Sequence, residues 1–407
     1  MQNQDTSLRQ DAKVIGLVGL AHSISHFSHL ILAPLFPWIK QAFQLSYAEL
    51  GWLMSVFFIV SGIGQALAGF VVDKIGALKV LCFGLLCLGC SALVLGYASS
   101  YPILLLGAML AGLGNSVFHP ADYAILNQRI SPKRLAYAFS VHGITGNLGW
   151  VCAPLFLVGI ASTTNWHSAL LAAAILPFSI LALLLFNRHF LETKIAKKTA
   201  HQVQNQEHVL NFLRLPAVWQ CFAFFLIIAL ALGGIQSFAV ASLQSMYAMS
   251  LVLATSAYTS YMIASALGMV IGGFLASKTS RHDYIIAWAF LISGSVMWLI
   301  ATGWLPSWFI VGLMGLVGFG AGIAGPSRDL MIRAAAPKNA TGRVYGVVYS
   351  GLDSGLALAP LLFGVILDAN QPKWVFICIG IFQILALLTA VNVGKRTAHG
   401  AGALQAN

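Results

Sequence analysis

"GLGNSVFHPADY", residues 112–123, aligns without a gap on "GFGAGIAGPSRD", residues 318–329. The offset is 206 residues, and Gly112, Gly114 and Pro120 match Gly318, Gly320 and Pro326. The same offset relates "GWVCAPL" at 149–155 to "GLALAPL" at 355–361. "GFVVDKIG" at 69–76 has a weaker partner in "GFLASKTS" at 273–280. The chain is therefore a repeat of two similar halves.

Composition says what solvates those halves. The 407 residues are 59% apolar and only 8% charged, against about 25% charged in a soluble protein. Lipid is the expected solvent. A spanning helix needs about 20 apolar residues. Twelve such stretches run roughly 14–39, 48–71, 78–98, 102–128, 136–160, 166–187, 216–241, 252–276, 284–304, 308–332, 344–367 and 373–393. The expected fold is an all-α membrane protein of twelve transmembrane helices in two pseudo-symmetric six-helix bundles. Residues 1–187 form the N-terminal bundle, the polar and basic stretch 188–215 a cytoplasmic linker, and 216–407 the C-terminal bundle with a short cytoplasmic tail.

The formal net charge of +11 does not point to nucleic acid, because the basic residues form no aromatic-interleaved patch. They lie between apolar blocks, as topology signals do. With both termini cytoplasmic, the outer loops receive only Lys40 and Lys373, and nearly all other Lys and Arg fall inside. This is the asymmetry of a multi-pass protein in a bacterial inner membrane. The six cysteines lie within apolar stretches and read as small packing residues. No Walker pattern is present, so ATP is not the expected energy source, and no soluble catalytic domain suggests an enzyme.

Charged groups at the bilayer centre cost about 2.5–3.5 kcal/mol on insertion scales, so each needs a partner or a cavity. Here they are Asp122, Arg328, Asp329 and Asp353, accompanied by His22, His26, His29, His119 and His142. The stretch "AHSISHFSHLILAPLFPWI", residues 21–39, puts His22, His26 and His29 on one helical face. Imidazole titrates near neutrality and also suits borderline divalent metals. Three readings stay open for this stripe: proton coupling or hydrogen bonding to substrate, a structural role, and metal binding. Residues i, i+4 and i+7 climb about 10 Å along a helix, so one ion takes at most a pair of them, completed by His119 or His142. Asp122 and Arg328 occupy matching repeat positions and are expected to pair as a gate, with Asp329 as the rival partner of Arg328. Asp353 is a candidate protonation site.

Over its full length the chain resembles the major facilitator superfamily, whose parallel six-helix repeats suit this organisation. "GFVVDKIGALK" at 69–79 fits that family's signature loop, which carries Gly69, Asp73, Lys74, Gly76 and Lys79 over as a cytoplasmic latch of the outward-facing state. In this loop Gly69 is expected to allow close helix contact and Gly76 a tight turn. Ala77 and Leu78 depart from the family's more basic pattern, and Ser277 replaces the acid in the second copy. "HSISHFSHLILAPLFP", "FHPADYAIL" and "GPSRDLMIRAAAP" resemble the fosmidomycin-resistance type of exporter, many of which carry an acid where His26 stands. The spaced glycines of "GITGNLGWVCAPLFLVG", residues 143–159, read either as an antiporter signature or as close helix packing with a proline bend. The resemblance implies a proton-coupled exporter of a small organic molecule or drug, working by alternating access. It implies a monomer in the lipid bilayer, with no nucleic-acid partner and no cofactor beyond protons. The competing expectation is transport of a divalent transition metal or its chelate through the membrane histidines.

Overall fold

The computed structural model describes residues 7–193, 214, 216–279, 281–335 and 341–405. Among the described residues there is helix and no strand. Twelve segments are long and apolar enough to cross a membrane, as the sequence predicts. The chain divides into two compact units, Met1–Leu45 with Trp52–Lys198, and Ser46–Gly51 with Thr199–Asn407.

The first unit contains α1 (Leu8–His29), α2 (Phe36–Phe43), most of α3 (Tyr47–Ile75), α4 (Ala77–Gly96), α5 (Tyr101–Asn115), α6 (Phe118–Arg129), α7 (Leu135–Thr163), α8 (Trp166–Phe186) and the short α9 (Arg188–Leu191). Ser7 caps α1 by accepting from the Gln10 N–H at 3.2 Å, and Asn165 caps α8 by accepting from Ser168 N–H at 2.8 Å. Helix α1 packs on α7, and α4 packs on α5 and α8.

The second unit contains α10 (Pro216–Tyr247), α11 (Leu251–Ser277), α12 (His282–Ala301), α13 (Ser307–Ala335), α14 (Thr341–Asp368) and α15 (Pro372–Gln405). Here α10 packs on α14, α11 on α13, and α12 on α15. These pairs repeat the arrangement of the first unit, as the sequence offset requires. The matched glycines show why. A Cβ on Gly112 would collide with the Phe57 carbonyl of α3, and one on Gly318 with the Tyr261 carbonyl of α11. A Cβ on Gly114 would lie 2.9 Å from the Gly84 carbonyl oxygen of α4, and one on Gly320 3.1 Å from that of Ala289 of α12. Small residues let helix backbones approach where lipid supplies no hydrophobic drive between helices.

Two spans of the first unit are broken, which the sequence reading treated as continuous. The first span breaks after His29 and resumes through a 3-10 turn at Ala33–Leu35 into α2. The fourth breaks at Ser116–Val117, between α5 and α6. Each break lies four residues before a proline, Pro34 after Leu30 and Pro120 after Ser116. A proline ring clashes with the carbonyl at i−4 and removes one helical hydrogen bond. Yet Pro326, the repeat partner of Pro120, lies inside unbroken α13. The first copy has Asn115 and Ser116 where the second has Ala321 and Gly322. Polar side chains that can hold a break open are present only in the first copy.

Candidate functional site: histidines at two broken helices

The two breaks are tied together by one side chain. Asn115, the last residue of α5, accepts from the Ser25 hydroxyl at 2.5 Å. Its Oδ1 also lies 2.9 Å from His29 Nε2, in the last turn of α1. Its Nδ2 donates to Ser61 Oγ of α3 at 2.8 Å. An amide oxygen only accepts, so His29 carries its proton on Nε2. His29 is thereby committed to the helix junction.

His26 and His22, one and two turns earlier, turn to other partners. His22 meets His26 at 4.4 Å between ring centroids with planes inclined 52°. It meets His119 of α6 at 5.3 Å and 64°. His142 of α7 stacks on His22 at 3.5 Å. Fully buried Asp122 sits behind this group. Its Oδ2 accepts from His142 Nε2 at 3.0 Å. The same oxygen lies 3.2 Å from His22 Nδ1, in a contact poorly aligned for a hydrogen bond. His119 Nδ1 is 3.1 Å from Gln65 Oε1 of α3, and Trp150 of α7 stacks on His26 at 4.4 Å.

Helix α7 makes room for this cluster with glycine. A Cβ on Gly146 would lie 2.8 Å from His26 Nδ1 and 3.0 Å from His22 Nε2. One on Gly149 would lie 2.9 Å from the Phe27 N–H and closer still to the Ser23 carbonyl. In the second unit Gly351 and Gly355 serve the same purpose against α10, where an added Cβ would lie 2.5 Å from the carbonyl oxygens of Phe222 and Leu226. Close packing thus accounts for these glycines. Gly143 and Gly159 of the same stretch have nothing within 4 Å of a Cβ.

The remaining expected positions are dispersed. Asp122 has histidine partners within its own unit, and the Arg328 guanidinium lies 4.9 Å from the Phe225 ring centroid in the other. Asp353 is half-buried on α14. The side chains of Asp73 and Asp329 lie outside the described ones. In the signature loop Gly76 has φ 90° and starts α4, a conformation that favours glycine, and Ala77 N–H donates to Thr193 Oγ1 at 3.1 Å. Lys74 and Lys79 are exposed. Among the described residues nothing lies within 4 Å of a Cβ placed on Gly69.

Sequence reasoning missed Asn115, Gln65 and Gly146, although two of them are lone amides in otherwise apolar spans. It also missed buried Asp11. That carboxylate pairs with Arg134 Nε at 2.6 Å and accepts from Ser131 Oγ at 3.0 Å, fastening α1 to the turn before α7.

The profile of the Major Facilitator Superfamily matches residues 18–287 and 234–404. The chain belongs to this superfamily. It is 26% identical over 396 residues to the fosmidomycin resistance protein of Escherichia coli (strain K12), covering 94% of this chain and 93% of that protein. The putative niacin/nicotinamide transporter NiaP of Bacillus subtilis (strain 168) is 24% identical over 219 residues, or 52% of this chain and 55% of that protein. Among solved structures, a bacterial homolog of the human lysosomal transporter Spinster, inward-facing and unoccupied, superposes with TM-score 0.76 at 15% identity. That match covers 96% of this chain and 98% of the other. The nucleoside transporter NupG gives TM-score 0.75 at 15% identity, over 92% and 99%. The fold of this superfamily member is thus that of a multi-pass membrane transporter.

Proposed function

We propose that this superfamily member is a secondary active exporter in a bacterial inner membrane, moving a small organic molecule outward in exchange for protons. The observation that carries the reading is the meeting of two broken spans at a polar site inside the first unit. Transporters form cargo sites from discontinuous helices, whose free backbone ends and polar side chains can face a ligand rather than lipid. The site combines aromatic faces, from Trp150, Phe57 and Phe58, with the hydrogen-bonding imidazoles of His26 and His29. Apolar walls with a few placed polar groups suit a small organic cargo. The name of the Escherichia coli relative speaks of resistance, which supports the outward direction.

Proton coupling falls to Asp353 of α14, within the span Ser350–Asp368. A carboxylate at the bilayer centre costs about 2.5–3.5 kcal/mol, and taking up a proton removes that cost. Asp353 can therefore change access neutral and return charged only where water or a counter-charge reaches it. The test uses purified protein in proteoliposomes with an imposed pH gradient and a panel of labelled metabolites and drugs. Gradient-driven movement of one compound, abolished by a protonophore, is expected. Asp353→Asn should lose the gradient-driven component and keep cargo exchange. Transport by Asp353→Asn with an unchanged gradient dependence would remove Asp353 from the coupling role.

A further inference from the structure

We propose that His22, His26 and His119 form a binding site for one borderline divalent transition-metal ion of the zinc type. Their ligand atoms all lie within 4.8 Å of one another. Tetrahedral zinc with bonds of 2.0–2.1 Å holds its ligand atoms about 3.3 Å apart, so closure by about 1.5 Å at most completes the set. His22 and His26 are i and i+4 on α1, the spacing by which one helix face offers two imidazoles to one ion.

Ring orientation selects this triad over its neighbour. An imidazole lone pair lies in the ring plane, so an ion must sit near all the planes at once. The planes of His22, His26 and His119 are inclined by 52°, 64° and 71° to one another. Planes so inclined intersect and allow one shared point. The alternative grouping of His22, Asp122 and His142 has its two rings stacked at 22°. Nearly parallel planes share no nearby point, and that group acts instead as support.

The outer partners are those a metal site needs. Metal-bound histidines usually give their other nitrogen to a carboxylate or carbonyl, which fixes ring and tautomer. His22 Nδ1 lies 3.2 Å from the Asp122 carboxylate, near enough that a small ring rotation on binding the ion would align the bond. His119 Nδ1 has the Gln65 carbonyl oxygen at 3.1 Å. Both arrangements leave Nε2 as the ligand atom. His26 Nδ1 is buried without a hydrogen-bond partner, and it flanks the open side of Gly146 together with His22 Nε2. Imidazoles alone suit zinc, nickel, cobalt or copper and not magnesium or calcium. The ion arrives either free or chelated by a small organic ligand. The inference rests on the reading of the broken spans as the cargo path only for where the ion goes next.

The full-length protein in nanodiscs, stripped with chelator, is titrated with zinc, cobalt or magnesium by calorimetry. One equivalent of zinc and the visible bands of a tetrahedral cobalt site are expected, with no magnesium binding. His26→Gln and His119→Gln should each weaken zinc binding at least about 100-fold, and Gln65→Ala about 10–100-fold. Gly146→Ala should also weaken it by crowding two ligand atoms. His167→Gln, on α8, whose ring bonds the Gly96 carbonyl of α4, should leave it unchanged. X-ray absorption of the zinc-loaded wild type should count three imidazoles, a measurement that does not depend on any variant folding. No saturable zinc binding by wild type, fewer than three imidazoles, or unchanged affinity in His26→Gln and His119→Gln overturns the site. Uptake into proteoliposomes of zinc alone and of zinc as its citrate complex separates the free ion from a chelate. Proton-driven transport of an organic compound without zinc binding removes the metal site and leaves the exporter. Zinc binding without gradient-driven transport does the reverse.

Discussion

At the residue scale, Asn115 and Asp11 each tie helices of the first unit together through buried polar bonds, and each carries a prediction. Asn115 satisfies Ser25, His29 and Ser61 together. Asn115→Ala leaves buried donors and an acceptor unpaired, at about 1–3 kcal/mol for each group. A clear drop in thermal unfolding temperature is expected, well beyond that of Thr163→Ala, whose hydroxyl bonds only its own exposed helix. Equal stability of the two variants would show that Asn115 does not hold the junction. Asp11 is the second case. It is wholly buried while its partner Arg134 is about a quarter exposed. Asp11→Asn keeps the shape and removes the charge, and a loss of about 1–3 kcal/mol is expected. Arg134→Gln should cost more than Asp11→Asn, because it takes the cation from a buried carboxylate and leaves the charge in place, and the two unfolding curves decide the order.

At the scale of elements, the helix breaks and the glycine contacts make opposite demands on the backbone. Pro120→Ala removes the clash with the Ser116 carbonyl and restores an N–H. The amide at 120 should then exchange slowly with solvent deuterium, as α5 and α6 join. Rapid exchange at 120 would mean that Asn115 and Ser116 hold the break without the proline. On α7, Gly149→Ala forces a methyl against the Phe27 N–H and the Ser23 carbonyl of α1. Overpacking of this kind costs about 1–3 kcal/mol. Gly159→Ala meets nothing within 4 Å and gains helix propensity of about 0.8–1 kcal/mol. The two substitutions should move the unfolding temperature in opposite directions, although both fall in one sequence pattern.

At the scale of the molecule, the distribution of Lys and Arg sets an orientation that can be read in cells. The proposed orientation puts both termini in the cytoplasm, so a green fluorescent protein fused after Asn407 should fluoresce, and alkaline phosphatase fused there should be inactive. The reverse pattern would overturn the assigned orientation and with it the outward direction of transport. The same fusion placed at Lys373 should give the opposite result, because that loop is assigned to the outer face.

The amino-acid sequence by itself determined the class of solvent, the number of spans and the duplication. Those depend on composition, on apolar length and on similarity at a constant offset, all of which are properties of the chain read in order. It also carried the close-packing glycines and the three histidines on one face, because helical period is local. Tertiary structure alone decided how those histidines divide, with His29 committed to Asn115 and His22 and His26 gathered with His119. That division depends on the angle at which α5, α6 and α7 meet α1, and no spacing in α1 encodes it. The same holds for the unequal fate of Pro120 and Pro326, which occupy equivalent positions at the repeat offset. A proline only weakens a helix, and where the chain parts in the first copy, Asn115 at the break bonds Ser25 and His29 of α1 and Ser61 of α3, partners that only the packed helices bring within reach.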